Sequence, residues 1–146
     1  SFEHEEAPTA PVDGDGRELR GAGDNVVKRG ANVSGVARHV RTSDKVLEYL
    51  TDGVPADTIA IVDDSGGTLT APVLEKFKAV LCAGGTTRSH LAILTREYGI
   101  PCLMNARLSG IKDGDKLEIE SAARAKSADD YAAGVDVPAH VWRLNA

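Results

Sequence analysis

The hydrophobic positions of this chain fall into short runs separated by turn-forming residues, and the runs alternate between two periods. Thr58 to Val62 (Thr-Ile-Ala-Ile-Val) is apolar at almost every place, which predicts a strand buried on both faces. Ala79 to Ala83 (Ala-Val-Leu-Cys-Ala) has the same character and runs straight into Gly84-Gly85. Earlier in the chain, Asn25 to Val33 and Val36 to Val40 read as two short strands joined by a turn at Ser34-Gly35. Cys102-Leu103-Met104, behind Pro101, reads as extended. Lys116 to Glu120 alternates polar and apolar like a half-exposed edge strand, and Asp113-Gly114 before it is a turn signal.

Helical periods lie between these runs. Ser43 is placed to cap a helix from Asp44 to Leu50, with Val46, Leu47 and Leu50 on one face and Asp52-Gly53 at its end. Asp63-Asp64-Ser65-Gly66-Gly67 breaks the chain after the Thr58–Val62 run. Thr70 then opens a short helix that tolerates Pro72 in its first turn and turns Leu74 and Phe77 inward. After His90, Leu91, Leu94 and Tyr98 stack on one side with Ala92 and Ile93 close by, until Gly99 stops the helix. The Ala-rich end carries one further helical stretch, near Ala128 to Ala133. Strands interleaved with short helices predict an α/β domain, of the β/β/α kind.

Composition divides the chain into three. Residues 1–24 are rich in Glu, Asp, Gly and Pro, a composition that does not offset its own ordering entropy, and read as a flexible or partner-clasping tail. Residues 25–120 hold the predicted domain, and residues 121–146 form a C-terminal extension. At 146 residues and 42% apolar composition, one core is within reach, but an ATP-binding catalytic fold beside it is not. The net charge of −5 argues against nucleic-acid or anionic-membrane partners. No apolar run approaches the roughly 20 residues of a membrane span, and no signal-peptide pattern opens the chain. Cys82 and Cys102 make no metal-ligand pair and read as buried small apolar residues, which suits a reducing, cytoplasmic setting. No metal site is expected.

The chemistry concentrates at Gly84-Gly85-Thr86-Thr87-Arg88-Ser89-His90. A Gly-rich, hydroxyl-rich loop meets a helix start there, with a histidine at the junction. Amides at a helix N-terminus point outward and favour negative charge. A neutral imidazole is nucleophilic near pH 7 and gives a phosphoramidate reactive enough to pass its phosphoryl group onward, whereas a serine phosphate is too stable for a relay. His90 is therefore the candidate phosphoryl acceptor. Gly84 and Gly85 allow close approach of backbone to an anion. Thr86, Thr87 and Ser89 are candidate phosphate contacts or, equally, turn and cap residues; Arg88 is a candidate phosphate clamp. Arg96 is a supporting residue or one half of an ion pair. His4, His39 and His140 lie in no motif.

Gly84, Gly85, Ser89, His90, Ala92, Ile93, Arg96 and Gly99-Ile100-Pro101 together resemble the signature of the mobile, swivelling phosphohistidine domain of phosphoenolpyruvate-utilising enzymes, a family that includes pyruvate phosphate dikinase, phosphoenolpyruvate synthase and phenylphosphate synthase. Thr70-Ala71-Pro72 is similar to that family's Thr-x-Pro, and Gly35 to Val40 to its early strand pair. The loop Thr86-Thr87-Arg88 is one residue longer than the family spacing, with Arg88 where Thr is usual. The resemblance spans about residues 25–120. It implies a compact swivelling β/β/α fold, phosphorylation of His90, ATP and Mg²⁺ bound mainly by an ATP-grasp partner subunit or domain, and transfer to a small-molecule acceptor such as a phenol, cresol or other alcohol. Two alternatives stay open: a phosphoenolpyruvate-dependent relay like enzyme I of the sugar phosphotransferase system, or a non-catalytic docking module of the same fold.

Overall fold

The computed structural model describes residues 3–63, 69–135 and 138–144. Among the described residues seven strands occur in chain order: β1 (Arg17–Asn25), β2 (Val33–His39), β3 (Thr58–Val62), β4 (Ala79–Cys82), β5 (Cys102–Leu108), β6 (Lys116–Ile119) and β7 (Pro138–Leu144). The α-helices bounded within the described residues are α1 (Ser43–Asp52), α2 (His90–Tyr98) and α3 (Ala128–Ala133). A 3₁₀ segment, Ala71–Lys76, carries Pro72 in its first turn. Most of the Asp63–Gly67 break lies outside the described residues.

The strands close into one barrel in the order β1-β5-β4-β3-β2-β6-β7, with β7 pairing back onto β1. β2, β3, β4 and β5 run parallel, and the remaining pairings are antiparallel. This corrects the expected α/β fold: the chain does not build a compact swivelling β/β/α domain but a closed mixed barrel with few helices. The cause lies at the two ends of the chain. β1 begins at Arg17, inside the segment read as a tail, and β7 lies in the C-terminal extension. Their mutual pairing, with β5 and β6 as outer neighbours, joins what would otherwise be free sheet edges.

The strand alternation divides the apolar residues between two cores. Ile59 and Ile61 of β3, Leu81 of β4, Leu103 of β5, Leu117 of β6 and Val141 of β7 belong to a cluster that fills the barrel. Their neighbours Ala60, Val62, Val80, Cys82, Cys102 and Met104 form a second cluster with Val46, Tyr49, Leu74, Phe77, Leu91 and Ala92 from the helical segments. β3 and β4 are thus buried on both faces, as their near-continuous apolar runs predict. Both cysteines are buried thiols, and burial pushes the Cys102 thiol up to about 12.

Two local readings change. Ser34-Gly35 is no turn: both residues lie inside β2, and most of Asn25–Val33 connects β1 to β2. Gly35 passes so near β3 that a Cβ there would sit 2.5 Å from the Asp57 carbonyl oxygen and 2.9 Å from Ile59, so a side chain is excluded by packing. In α1, Thr42 rather than Ser43 is the cap, and Val46 and Tyr49 face inward while Leu47 and Leu50 are 61% and 55% exposed.

Candidate functional site

The site begins where β4 ends. Cys82 is the last residue of a strand clamped between β3 and β5, and the chain then leaves the barrel as the loop Ala83–Ser89 before entering α2 at His90. β5 fastens the start of this loop: the Arg107 guanidinium donates to the Ala83 carbonyl at 2.6 Å, and the Asn105 amide donates to the Gly84 carbonyl at 2.9 Å. Asn105 itself adopts φ 50°, a left-handed conformation that asparagine tolerates better than most residues. Gly85 has φ 72°, and a Cβ there would meet the Ser89 hydroxyl at 2.7 Å. The glycine pair is therefore needed for conformation, at least at its second member.

Inside the loop the hydroxyls bond to backbone. Ser89 Oγ accepts the Thr86 amide at 2.8 Å, and Thr86 Oγ1 accepts the Arg88 amide at 3.1 Å. The Ser89 amide closes the turn onto the Thr86 carbonyl at 3.0 Å. Ser89 is the N-cap residue of α2 by position, yet its side chain makes no cap hydrogen bond, because its oxygen is turned back toward Thr86. The first turn of α2 contains no acidic residue. It keeps the positive end of the helix uncompensated by its own sequence.

His90 is exposed, and its ring makes no hydrogen bond among the described residues. Arg88 is also exposed. Thr87 behaves differently from its neighbours: it is 4% exposed and bonded in three directions. Its amide donates to Tyr131 Oη at 3.2 Å, its hydroxyl donates to the Lys126 carbonyl at 3.2 Å, and its carbonyl accepts from the Arg96 guanidinium at 2.6 Å. Thus Gly84 to His90 come together as one surface loop, Arg96 reaches it from the next turns of α2, and the Thr87 side chain anchors the loop from below.

Asn105, Arg107, Lys126 and Tyr131 escaped the sequence reading. Only Tyr131 left a trace: Ser127 and Asp130 form a capping box that starts α3, a spacing visible in the sequence. Gly84 to His90 themselves include no carboxylate. The loop's own residues thus offer no carboxylate to Mg²⁺, a hard cation that takes oxygen ligands. Among the described residues no three His, Cys, Asp or Glu gather in a way that could hold a metal ion. Among them, too, no helix is long and apolar enough to cross a membrane.

Residues 54–123 match the family described as PEP-utilising enzyme, mobile domain. That span covers β3 to β6 and contains the whole loop, His90 and Arg96. No curated protein matches the chain. Among solved structures, the microcin C7 self immunity protein MccF aligns in its inactive mutant apo state and in complex with glutamyl sulfamoyl guanosine, each at TM-score 0.47 and 13% identity. Its wild-type apo state aligns at TM-score 0.46 and 14% identity. These alignments cover 84% of this chain, which spans 41% of the length of those structures.

Proposed function

We propose, from the membership of residues 54–123 in the PEP-utilising enzyme mobile domain family, that this chain carries a phosphoryl group on the imidazole of His90. The observation that supports this most is the exposure of His90 at the first position of α2, directly after a loop whose backbone is held by Tyr131, Arg96 and Arg107. A neutral ring nitrogen uses its lone pair to form an N–P bond while the donor's P–O bond breaks, the electron pair leaving on the donor oxygen. In the second transfer an acceptor oxygen attacks phosphorus, the N–P electron pair returns to the ring, and the acceptor's proton is released. The anion formed between the two steps lies at the positive end of α2 and beside Arg88, whose guanidinium suits phosphate oxygens.

In-line placement of donor and acceptor needs groups beyond this loop. We therefore read the chain as the carrier part of a phosphotransferase of the dikinase type, whose ATP-grasp partner binds ATP and Mg²⁺ and whose acceptor is a small alcohol such as a phenol or cresol. The family description also admits phosphoenolpyruvate as donor.

The test is radiolabelling of the natively purified assembly with ATP in one arm and phosphoenolpyruvate in the other. One acid-labile, base-stable phosphate on this chain, absent from His90→Ala, supports the carrier reading, and the labelling arm identifies the donor. Labelling of His90→Ala at the wild-type level would exclude His90, and no label from either donor would favour a docking module.

A further inference from the structure

The loop ahead of His90 is held by residues outside the family segment. Tyr131, on α3, accepts the Thr87 amide and donates its own hydroxyl to Asp24 Oδ2 at 2.8 Å. Asp24, at the end of β1, is 5% exposed, and its other oxygen lies 3.5 Å from Lys126 Nζ. The Lys126 ammonium in turn stands 4.3 Å from the centre of the Tyr131 ring, and the Lys126 backbone bonds both to the Thr87 hydroxyl and to the Asn25 carbonyl.

These bonds have a forced direction. An ionised Asp24 accepts only, so the Tyr131 O–H must point to it, which leaves a phenolic lone pair as the acceptor for Thr87. Burial, with Asp24 beside it, raises the Tyr131 hydroxyl above its ordinary value and keeps it a donor. Arg96 grips the same residue through its carbonyl, so the Thr87 peptide groups are fixed on both sides.

We infer that Tyr131, oriented by Asp24, is the positioning residue that sets the backbone of the phosphoryl-carrying loop, so that the two ends of the chain fix the site. This rests on the carrier reading of His90. Neither Tyr131 nor Asp24 touches the reacting atoms; they act through the Thr87 amide, one residue before Arg88 and three before His90.

Tyr131→Phe removes the one bridging oxygen and keeps the ring beneath Lys126. The test measures two things in the native assembly: the rate of phosphate loading on His90, and hydrogen exchange at the Thr87, Arg88 and Ser89 amides. Loading is expected to fall by on the order of 10-fold in kcat with the KM for the donor unchanged, because a small misplacement of a reacting group costs rate before it costs binding. Exchange at Thr87 is expected to quicken. Asp24→Asn, which retains an acceptor for the Tyr131 hydroxyl, should load at an intermediate rate, and it serves if Tyr131→Phe folds poorly. Wild-type loading and unchanged Thr87 exchange in Tyr131→Phe would overturn the inference. If wild-type chain takes no label but Tyr131→Phe still frees the Thr87 amide, the clamp stands and the carrier reading fails.

Discussion

Two helices begin where parallel strands of this barrel end, and they begin differently. α1 follows β2, and its N-terminus is closed by its own sequence: Thr42 Oγ1 accepts the Lys45 amide at 3.2 Å, and Asp44 places a negative charge in the first turn. α2 follows β4, and its cap residue turns away to Thr86, leaves the first turn without an acid, and presents an exposed histidine. A helix end stabilised for its own sake uses its local side chains on its own amides. At α2 those side chains shape the preceding loop instead. The contrast is between a helix start closed by its own side chains and one whose cap residue holds the preceding loop and leaves the first turn open.

The largest effect that bears on this contrast is at His90. His90→Ala should abolish phosphate loading, yet leave stability within about 0.5 kcal/mol of wild type, since the ring is exposed and makes no hydrogen bond among the described residues. Denaturant unfolding followed by the fluorescence of Trp142 checks the second half. A large loss of stability would mean that the histidine is a structural residue after all.

Gly85→Ala comes next. The left-handed φ of 72° and the nearby Ser89 hydroxyl should make this change cost about 1–2 kcal/mol, with loading slowed because the loop must shift. The paired caps separate stability from function more finely. Thr42→Ala should cost about 1 kcal/mol and leave loading unchanged. Ser89→Ala should cost less, because its hydroxyl caps no amide of α2, while slowing loading by roughly 10-fold or less through the released Thr86 amide. Equal stability losses in the two variants would erase the distinction drawn between the helix starts.

How far the sequence revealed this molecule differs between its middle and its ends. β3, β4 and the helix after His90 were legible because buried parallel strands are apolar throughout and α2 carries its own period and stop at Gly99. The loop was legible as a loop because Gly84-Gly85 follow an apolar strand and a helical period begins after His90. β1 was not: Arg17–Asn25 includes Gly21 and Gly23, and its pattern is set by pairing with β5 and β7 from distant parts of the chain. β7 was missed because it opens on Pro138, a residue that argues against a strand unless it stands at the start. Without those two strands, barrel closure has no signature. The same blindness hid Tyr131 and Asp24, which meet only once the ends are paired.

The smallest expected effect tests whether α3 holds the α2 loop from a distance. Asp130 completes the capping box of α3, accepting from the Ser127 amide at 2.9 Å and from Arg124 at 2.7 Å. Chiefly through the Arg124 bond, and then the Ser127 amide, its carboxyl is held down at about 2, against an ordinary 3.8. A group depressed on folding stabilises the folded form fully above its unfolded value and loses that contribution as pH falls through its folded one. The helix carrying Tyr131 should therefore loosen between pH 3.8 and about 2, and exchange at the Thr87 amide, corrected for its intrinsic pH dependence, should rise in that window. Asp130→Asn has no carboxylate at that position to titrate, so its Thr87 exchange should rise less than that of wild type. If wild type and Asp130→Asn respond identically, the start of α3 has no hold on the loop, and the difference between the two helix starts is set within the barrel alone.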